Sequence, residues 1–177
     1  MKIVKTKIKD LLLIKQKNNA DKRGSLRETF NRKILNHNFV FEYCTTSKAN
    51  SLRGFHFQYK FQQAKFVSVI KGKILDCVID LRKNSKTFGK MFKIILSDKN
   101  CLSMFIPAGF GHAYFSYEKT NIVYYKLTNF YKPKYESGIN VLDKKLKVRW
   151  PNKKFKISSK DKKLQSYNDF LKNYKSL

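Results

Sequence analysis

Acidic residues are scarce in this chain: 12 Asp and Glu stand against 39 Lys and Arg, for a formal charge of +27 over 177 residues. Such a deficit directs attention first to nucleic acid. Yet the excess is mostly Lys, scattered singly along apparent strands and turns. There is no basic arm, no Arg-rich helix, no zinc-finger spacing and no Lys/Arg-Gly-Phe signature, so no nucleic-acid partner is expected. A positive field of this kind also steers small anionic substrates. Cysteine is equally sparse. Cys44, Cys77 and Cys101 form no C-x-x-C pair, which argues against a disulfide framework and a zinc site and fits a reducing cytosol. Long apolar runs are missing as well. The N-terminal stretch offers only Leu11 to Ile14, too short for the core of a signal sequence, and nothing is long enough to span a membrane. The expectation is a cytoplasmic protein with no membrane partner. No internal repeat shows, and the only biased segment is the Lys-rich tail.

What is present is apolar material for a core: 42% hydrophobic and 15% aromatic residues, with 15 Phe and 10 Tyr. That suits one domain over residues 1–177. Aromatic and β-branched enrichment leans toward strands. Phe66 to Ile70, Ile74 to Leu81, Phe92 to Leu96, Leu102 to Ile106 and Ile122 to Thr128 read as strands. Between them, Lys71-Gly72-Lys73, Lys83-Asn84-Ser85, Ser97 to Asn100 and Pro107 to Gly109 carry turn chemistry. Many short strands at spacings near ten residues indicate a sandwich or barrel, hence an all-β fold with minor helix. Helix is expected in two places. One is a short piece within Ser25 to Leu35; the other is a C-terminal helix over Ser166 to Tyr174, with Phe170 and Leu171 as its apolar contacts.

Three stretches carry more chemistry than a bland barrel needs. Leu52-Arg-Gly-Phe-His-Phe-Gln58, followed by Gln63-Ala-Lys65, sets Arg53, His56, Gln58 and Lys65 close together. If Phe55 and Phe57 face one side of a strand, then Gly54, His56 and Gln58 face the other, which in a barrel can be the lumen. A lone His is commonly a satisfied core residue. Arg53 and Lys65 beside it resemble an anion-handling site instead. The second stretch, Ile106 to Phe115, is a strand, tight turn and strand carrying His112. The third, Ile122 to Tyr131, presents Tyr125 and Tyr131, which alone would pass for barrel-wall aromatics. A metal-binding cupin wants two His one residue apart, then a carboxylate. Here Gln58 stands where the second His would, and no metal is expected.

Together these segments resemble the dTDP-4-dehydrorhamnose 3,5-epimerase family from about Asp21 to Asp161. The matching pieces are Asp21-Lys-Arg-Gly24 with Glu28, the Leu52 to Gln58 run, Gln63-Ala-Lys65, Asp76 to Arg82 and Lys86 to Gly89. They continue through Ile106 to His112, Tyr125-Lys126, Tyr131-Lys-Pro133, Glu136, Trp150-Pro151 and Ser159-Lys-Asp161. Each is weak alone; the ordered set is specific. The resemblance implies a cupin-type jelly-roll barrel with a few short helices. It implies proton movement at carbons beside a ketone, with no cofactor, in a homodimer acting on a nucleotide-diphosphate sugar. It further implies His56 as general base, Asp161 as its orienting carboxylate, Tyr125 as acid on the opposite sugar face, and Lys65 near the enolate oxygen. Arg23, Glu28, Arg53, His112, Glu136 and Lys160 fall on substrate-contacting positions, some of them reaching a partner's site, and Tyr131 on the aromatic that stacks on the nucleobase.

The chain departs from the family's pattern in places. Phe41 and Tyr43 stand where Gln and Asn usually meet the nucleotide, which leaves the nucleobase open. Ala113 replaces a Gly after His112, Lys86 replaces a Pro, and Val141-Leu142-Asp143 replaces Trp-Asn-Asp. The leading expectation is epimerisation at C3 and C5 of a dTDP-4-keto-6-deoxyhexose for L-rhamnose synthesis. A 3-only or 5-only epimerase on a related 4-keto nucleotide sugar, or a non-catalytic sugar-binding cupin, are the alternatives.

Overall fold

The computed structural model describes all of residues 1–177. Its strands are β1 (Lys2–Lys5), β2 (Leu12–Lys15), β3 (Asn18–Asp21), β4 (Gly24–Arg27), β5 (Phe41–Ser47), β6 (Leu52–Gln58) and β7 (Lys65–Lys71). There follow β8 (Lys73–Asp80), β9 (Met91–Ser97), β10 (Leu102–Ile106), β11 (Phe110–Ser116), β12 (Asn121–Leu127) and β13 (Glu136–Gly138). Two helices, α1 (Ser159–Lys162) and α2 (Tyr167–Asn173), lie near the C-terminus. No helix is long and apolar enough to cross a membrane.

Two antiparallel sheets face each other in a jelly-roll barrel of the cupin type. One runs β1-β2-β10-β7-β12-β5, the other β13-β6-β11-β8-β9. Strict alternation sorts the side chains. On β8, Ile74, Asp76 and Val78 point between the sheets, while Cys77 and Ile79 point outward. On β12 the inward row is Val123, Tyr125 and Leu127. These rows, with Val67, Val69, Met104 and Phe110, form the core between the sheets. At the tight turn joining β7 to β8, Gly72 adopts φ +87°, and a Cβ there would lie 2.6 Å from the Thr120 carbonyl oxygen. Only glycine fits that turn.

The outer face of the β13-β6-β11-β8-β9 sheet is not left to solvent. Phe55, Phe57, Cys77, Ile79 and Phe115 are covered by the C-terminal third of the chain through Ile139, Val141, Leu146 and Phe170. The expected terminal helix is α2, started by Ser166, whose hydroxyl accepts from the Asp169 amide, and docked through fully buried Phe170. The same returning segment bridges Lys156 to Ser51 beside β6 and so delivers α1 to the barrel.

The helix expected within Ser25 to Leu35 does not form. Residues 24–27 are β4, paired with β3 from Asp21↔Gly24 to Asn18↔Arg27. Beyond it Asn31 makes a single turn: its carbonyl accepts from Ile34 and Leu35, and its side chain accepts from Lys33. Local side-chain bonding of this kind competes with helix propagation. Leu35, with Phe30 and Phe39, instead packs against Phe66 and Phe105 on the outer face of the larger sheet.

Candidate active site

The cavity at one end of the barrel is built on an irregularity in β6. His112 on β11 pairs with His56 on β6, but the next aligned pair is Tyr114 with Arg53. Three steps along β6 therefore match two along β11, and β6 carries one extra residue, a β-bulge. Under strict alternation Arg53 and His56 would face opposite sides of the sheet. The bulge turns both into the cavity, together with Gln58. Gly54, expected to face the lumen, instead sits in the bulge with φ +105°, where a Cβ would lie 2.3 Å from the His112 carbonyl oxygen. Its freed amide donates to Asp161 Oδ2 at 3.1 Å.

That carboxylate orients the His56 imidazole. Nε2–H of His56 donates to Asp161 Oδ1 at 2.9 Å, leaving Nδ1 for the cavity. Asp161 is buried, and Ser158 fixes its helical turn by accepting the Asp161 amide at 3.0 Å. Burial alone would raise the Asp161 carboxyl. The His56 imidazole, the Gly54 amide and Ser158 outweigh it and hold the group below its ordinary value, so it stays ionised. A second pair lies beside it: His112 Nε2 meets both oxygens of fully buried Asp76, at 2.9 and 3.0 Å.

Lys65 enters from β7 with only 8% of its surface exposed. Burial lowers its ammonium to about 8, against the raising pull of Glu136 and Asp76. It remains a cation at neutral pH, and its Nζ lies 3.5 Å from the His56 carbonyl oxygen. Tyr125 reaches the same cavity from β12 in the opposing sheet. Its phenol is pushed well above the ordinary tyrosine value, by burial first and by its anionic and phenolic neighbours next, and so stays protonated. At the mouth, the Tyr131 hydroxyl donates to Glu136 Oε2 at 2.6 Å, and Lys160 pairs with the same oxygen. Arg53 Nε donates to Ser47 Oγ at 3.0 Å.

The cavity encloses about 120 Å³. His56, Lys65, Tyr125, Arg53, His112, Tyr131 and Glu136 line it, while Asp161 and Lys160 stand behind His56 and Glu136. Arg23 and Glu28 are not part of their own chain's cavity. Arg23 extends from the β3–β4 hairpin and pairs with Asp21 at 2.6 Å, and Glu28 faces the N-terminal ammonium and Asn31. Gln58 reaches the cavity as expected, Tyr43 stands out in the sequence only as a departure from the family's pattern, and Tyr114 and Asp76, the latter behind His112, are brought in without having been proposed as site residues. Asp76 left a trace in the sequence, a lone charge between Ile74 and Val78 on an inward row. Gln58, buried, ties two loops of the rim together: its Nε2 donates to the Phe61 carbonyl and its Oε1 accepts from the Lys132 amide. No three His, Cys, Asp or Glu side chains converge to hold a metal.

Fold and cavity together define a cupin-type barrel that gathers a His–Asp pair, a buried ammonium and a phenol in one cavity. The family model for dTDP-4-dehydrorhamnose 3,5-epimerase matches residues 5–169. A dTDP-4-dehydrorhamnose 3,5-epimerase of Methanothermobacter thermautotrophicus is 39% identical over 155 residues, covering 85% of this chain and 84% of its own. The crystal structure of the Bacillus anthracis dTDP-4-dehydrorhamnose 3,5-epimerase with TDP and PPi bound superposes with a TM-score of 0.90 at 34% identity, covering 93% of this chain and 98% of that one. A Legionella pneumophila dTDP-6-deoxy-D-glucose-3,5-epimerase in complex with dTDP-4-keto-L-rhamnose gives 0.90 at 33%, covering 94% and 93%. The chain belongs to the dTDP-4-dehydrorhamnose 3,5-epimerase family.

Lys65 predicts a pH dependence. Between about pH 8 and the ordinary value of 10.5, the unfolded chain holds a proton that the folded chain has released, so stability rises across that window. Below pH 8 both states hold it, and a burial penalty on the order of 3 kcal/mol persists. Urea unfolding of Lys65→Met should show no such rise and at least wild-type stability at pH 7. A variant markedly less stable at pH 7 would mean that the buried charge is compensated in the fold.

Proposed function

We propose that this enzyme epimerises a dTDP-4-keto-6-deoxyhexose at C3 and C5 through the His56–Asp161 pair, Lys65 and Tyr125. The observation that carries the reading is an oriented imidazole and a protonated phenol entering one cavity from opposing sheets. A C–H beside a ketone is acidic only because the resulting carbanion places its charge on oxygen, and an imidazole suits its removal near neutral pH. His56 Nδ1 takes the proton, and Asp161 holds the Nε2–H tautomer and stabilises the imidazolium. The Lys65 ammonium sits where the enolate oxygen develops charge in a water-poor cavity. Tyr125 then gives a proton to the opposite face, which inverts the carbon. The electron pair rests on the substrate's own carbonyl oxygen between the two transfers. Each inversion leaves His56 protonated and Tyr125 as a phenolate, and proton exchange with solvent returns both to their starting forms before the second carbon reacts.

The dTDP portion lies at the mouth, with Arg53 and Lys160 toward the diphosphate and Tyr131, 45% exposed, under the base. The bound TDP and dTDP-4-keto-L-rhamnose of the two crystal relatives support this substrate class. The chain acts as a homodimer in this reading, because Arg23 and Glu28 sit on an exposed arm whose Leu26 is 69% exposed. The three free thiols suit a reducing cytoplasm.

In heavy water with dTDP-4-dehydro-6-deoxyglucose, deuterium should enter both carbons flanking the ketone. His56→Asn should reduce uptake by roughly a thousandfold or more, the scale on which a positioned general base and its orienter act. Uptake at one carbon would move the enzyme to a single-centre reaction, and undiminished uptake in the variant would remove His56 as base. Sedimentation should show a dimer at micromolar concentration. A monomer would remove Arg23 and Glu28 from the site.

A further inference from the structure

The Tyr125 hydroxyl makes no hydrogen bond within the protein. Its direction therefore depends on how its ring is packed, because the terminal torsion of a tyrosine is intrinsically broad. One face of that ring is covered by Tyr43, its cross-strand partner in the β12–β5 register, with centroids 4.7 Å apart and planes at 21°. His112 meets the ring at an angle, 6.0 Å and 63° away. Tyr43 is in turn backed by Phe41 at 5.7 Å, and Phe41 by Phe130 at 6.3 Å. A continuous row of rings thus runs from inside the cavity to its rim. β5 is the edge strand of its sheet, so no further strand holds this row from outside.

We propose that Tyr43 is a positioning residue: its ring face fixes the plane of Tyr125 and so aims the phenol at the carbon that is to be inverted. This rests on Tyr125 being the proton donor. The Tyr43 hydroxyl has no hydrogen-bond partner in the protein, so the aromatic face, not the oxygen, carries the role. The consequence is specific. When the aim is lost, His56 still removes the proton, but the enolate is quenched from the His56 side after the imidazolium has traded that proton with solvent, which labels the carbon without inverting it.

The test is the partition of deuterium in heavy water. The quantity read is the ratio of labelled, unepimerised substrate to epimerised product. Tyr43→Leu keeps an apolar side chain of useful bulk without a flat face, and Tyr43→Ala removes the side chain. Both should raise the ratio by roughly tenfold, the scale of losing one aromatic stack at a reacting group. Total exchange should fall far less than this, and Tyr43→Phe should recover most of the inversion. Tyr125→Phe is the reference. If it raises the ratio while Tyr43→Leu and Tyr43→Ala leave it at the wild-type value, the positioning role of Tyr43 is overturned and the donor role of Tyr125 stands. If Tyr125→Phe itself leaves the ratio unchanged, the donor assignment fails and the inference fails with it. An equal loss of exchange and inversion in Tyr43→Leu, not restored by Phe, would reduce Tyr43 to a fold-supporting residue.

Discussion

One extra residue in β6 is the constraint on which the cavity depends. Without it, alternation would send Arg53 to the outer face that Phe55 and Phe57 occupy. With it, a cation and an imidazole three positions apart share one surface. The bulge needs a residue without a side chain, since the His112 carbonyl oxygen lies where a Cβ would sit. It also frees the amide that binds Asp161, so the feature that rephases the strand secures the carboxylate orienting His56. Strand phase and the geometry of the His56–Asp161 pair are one property of this segment.

The packing around the cavity serves the same end. Two paired His–Asp units and a buried ammonium are expensive to desolvate, and pairing with good hydrogen-bond geometry limits that cost. The expense is offset by apolar clusters between the sheets and on both outer faces. The C-terminal third does two jobs. Through Phe170 and its neighbours it covers the outer face of one sheet, and through α1 it supplies Asp161 and Lys160. A residue far along the chain can thereby orient His56, because the segment holding it is anchored by packing.

Much of the barrel was legible from local pattern. The strands ending at Ile106 and around Val67 and Val123 follow from short apolar runs between turn residues, and α2 follows from its Ser start and Phe170. Other features were not legible in that way. The helix expected before Leu35 yielded to hairpin pairing of Gly24 to Arg27, a contact between strands that propensity does not encode. Arg53 and His56 share a face only through a bulge, which alternation cannot anticipate. His56 and Asp161 are 105 positions apart, and their pairing came from resemblance to a family, not from spacing. Asp76 did leave a signal as a charge on an inward row. Tyr43 was visible only as a departure from the family pattern, and its stacking on Tyr125 needed the register of β5 against β12.

The central claim is that Asp161 holds His56 with its proton on Nε2 and leaves Nδ1 free for the substrate. The direct measurement is the tautomer of His56, read from long-range proton–nitrogen correlations on protein labelled at the imidazole nitrogens. At a pH where the ring is neutral, the account predicts a dominant Nε2–H form that loses its preference in Asp161→Asn. A dominant Nδ1–H form in the wild-type enzyme would place no lone pair toward the cavity and would contradict the account.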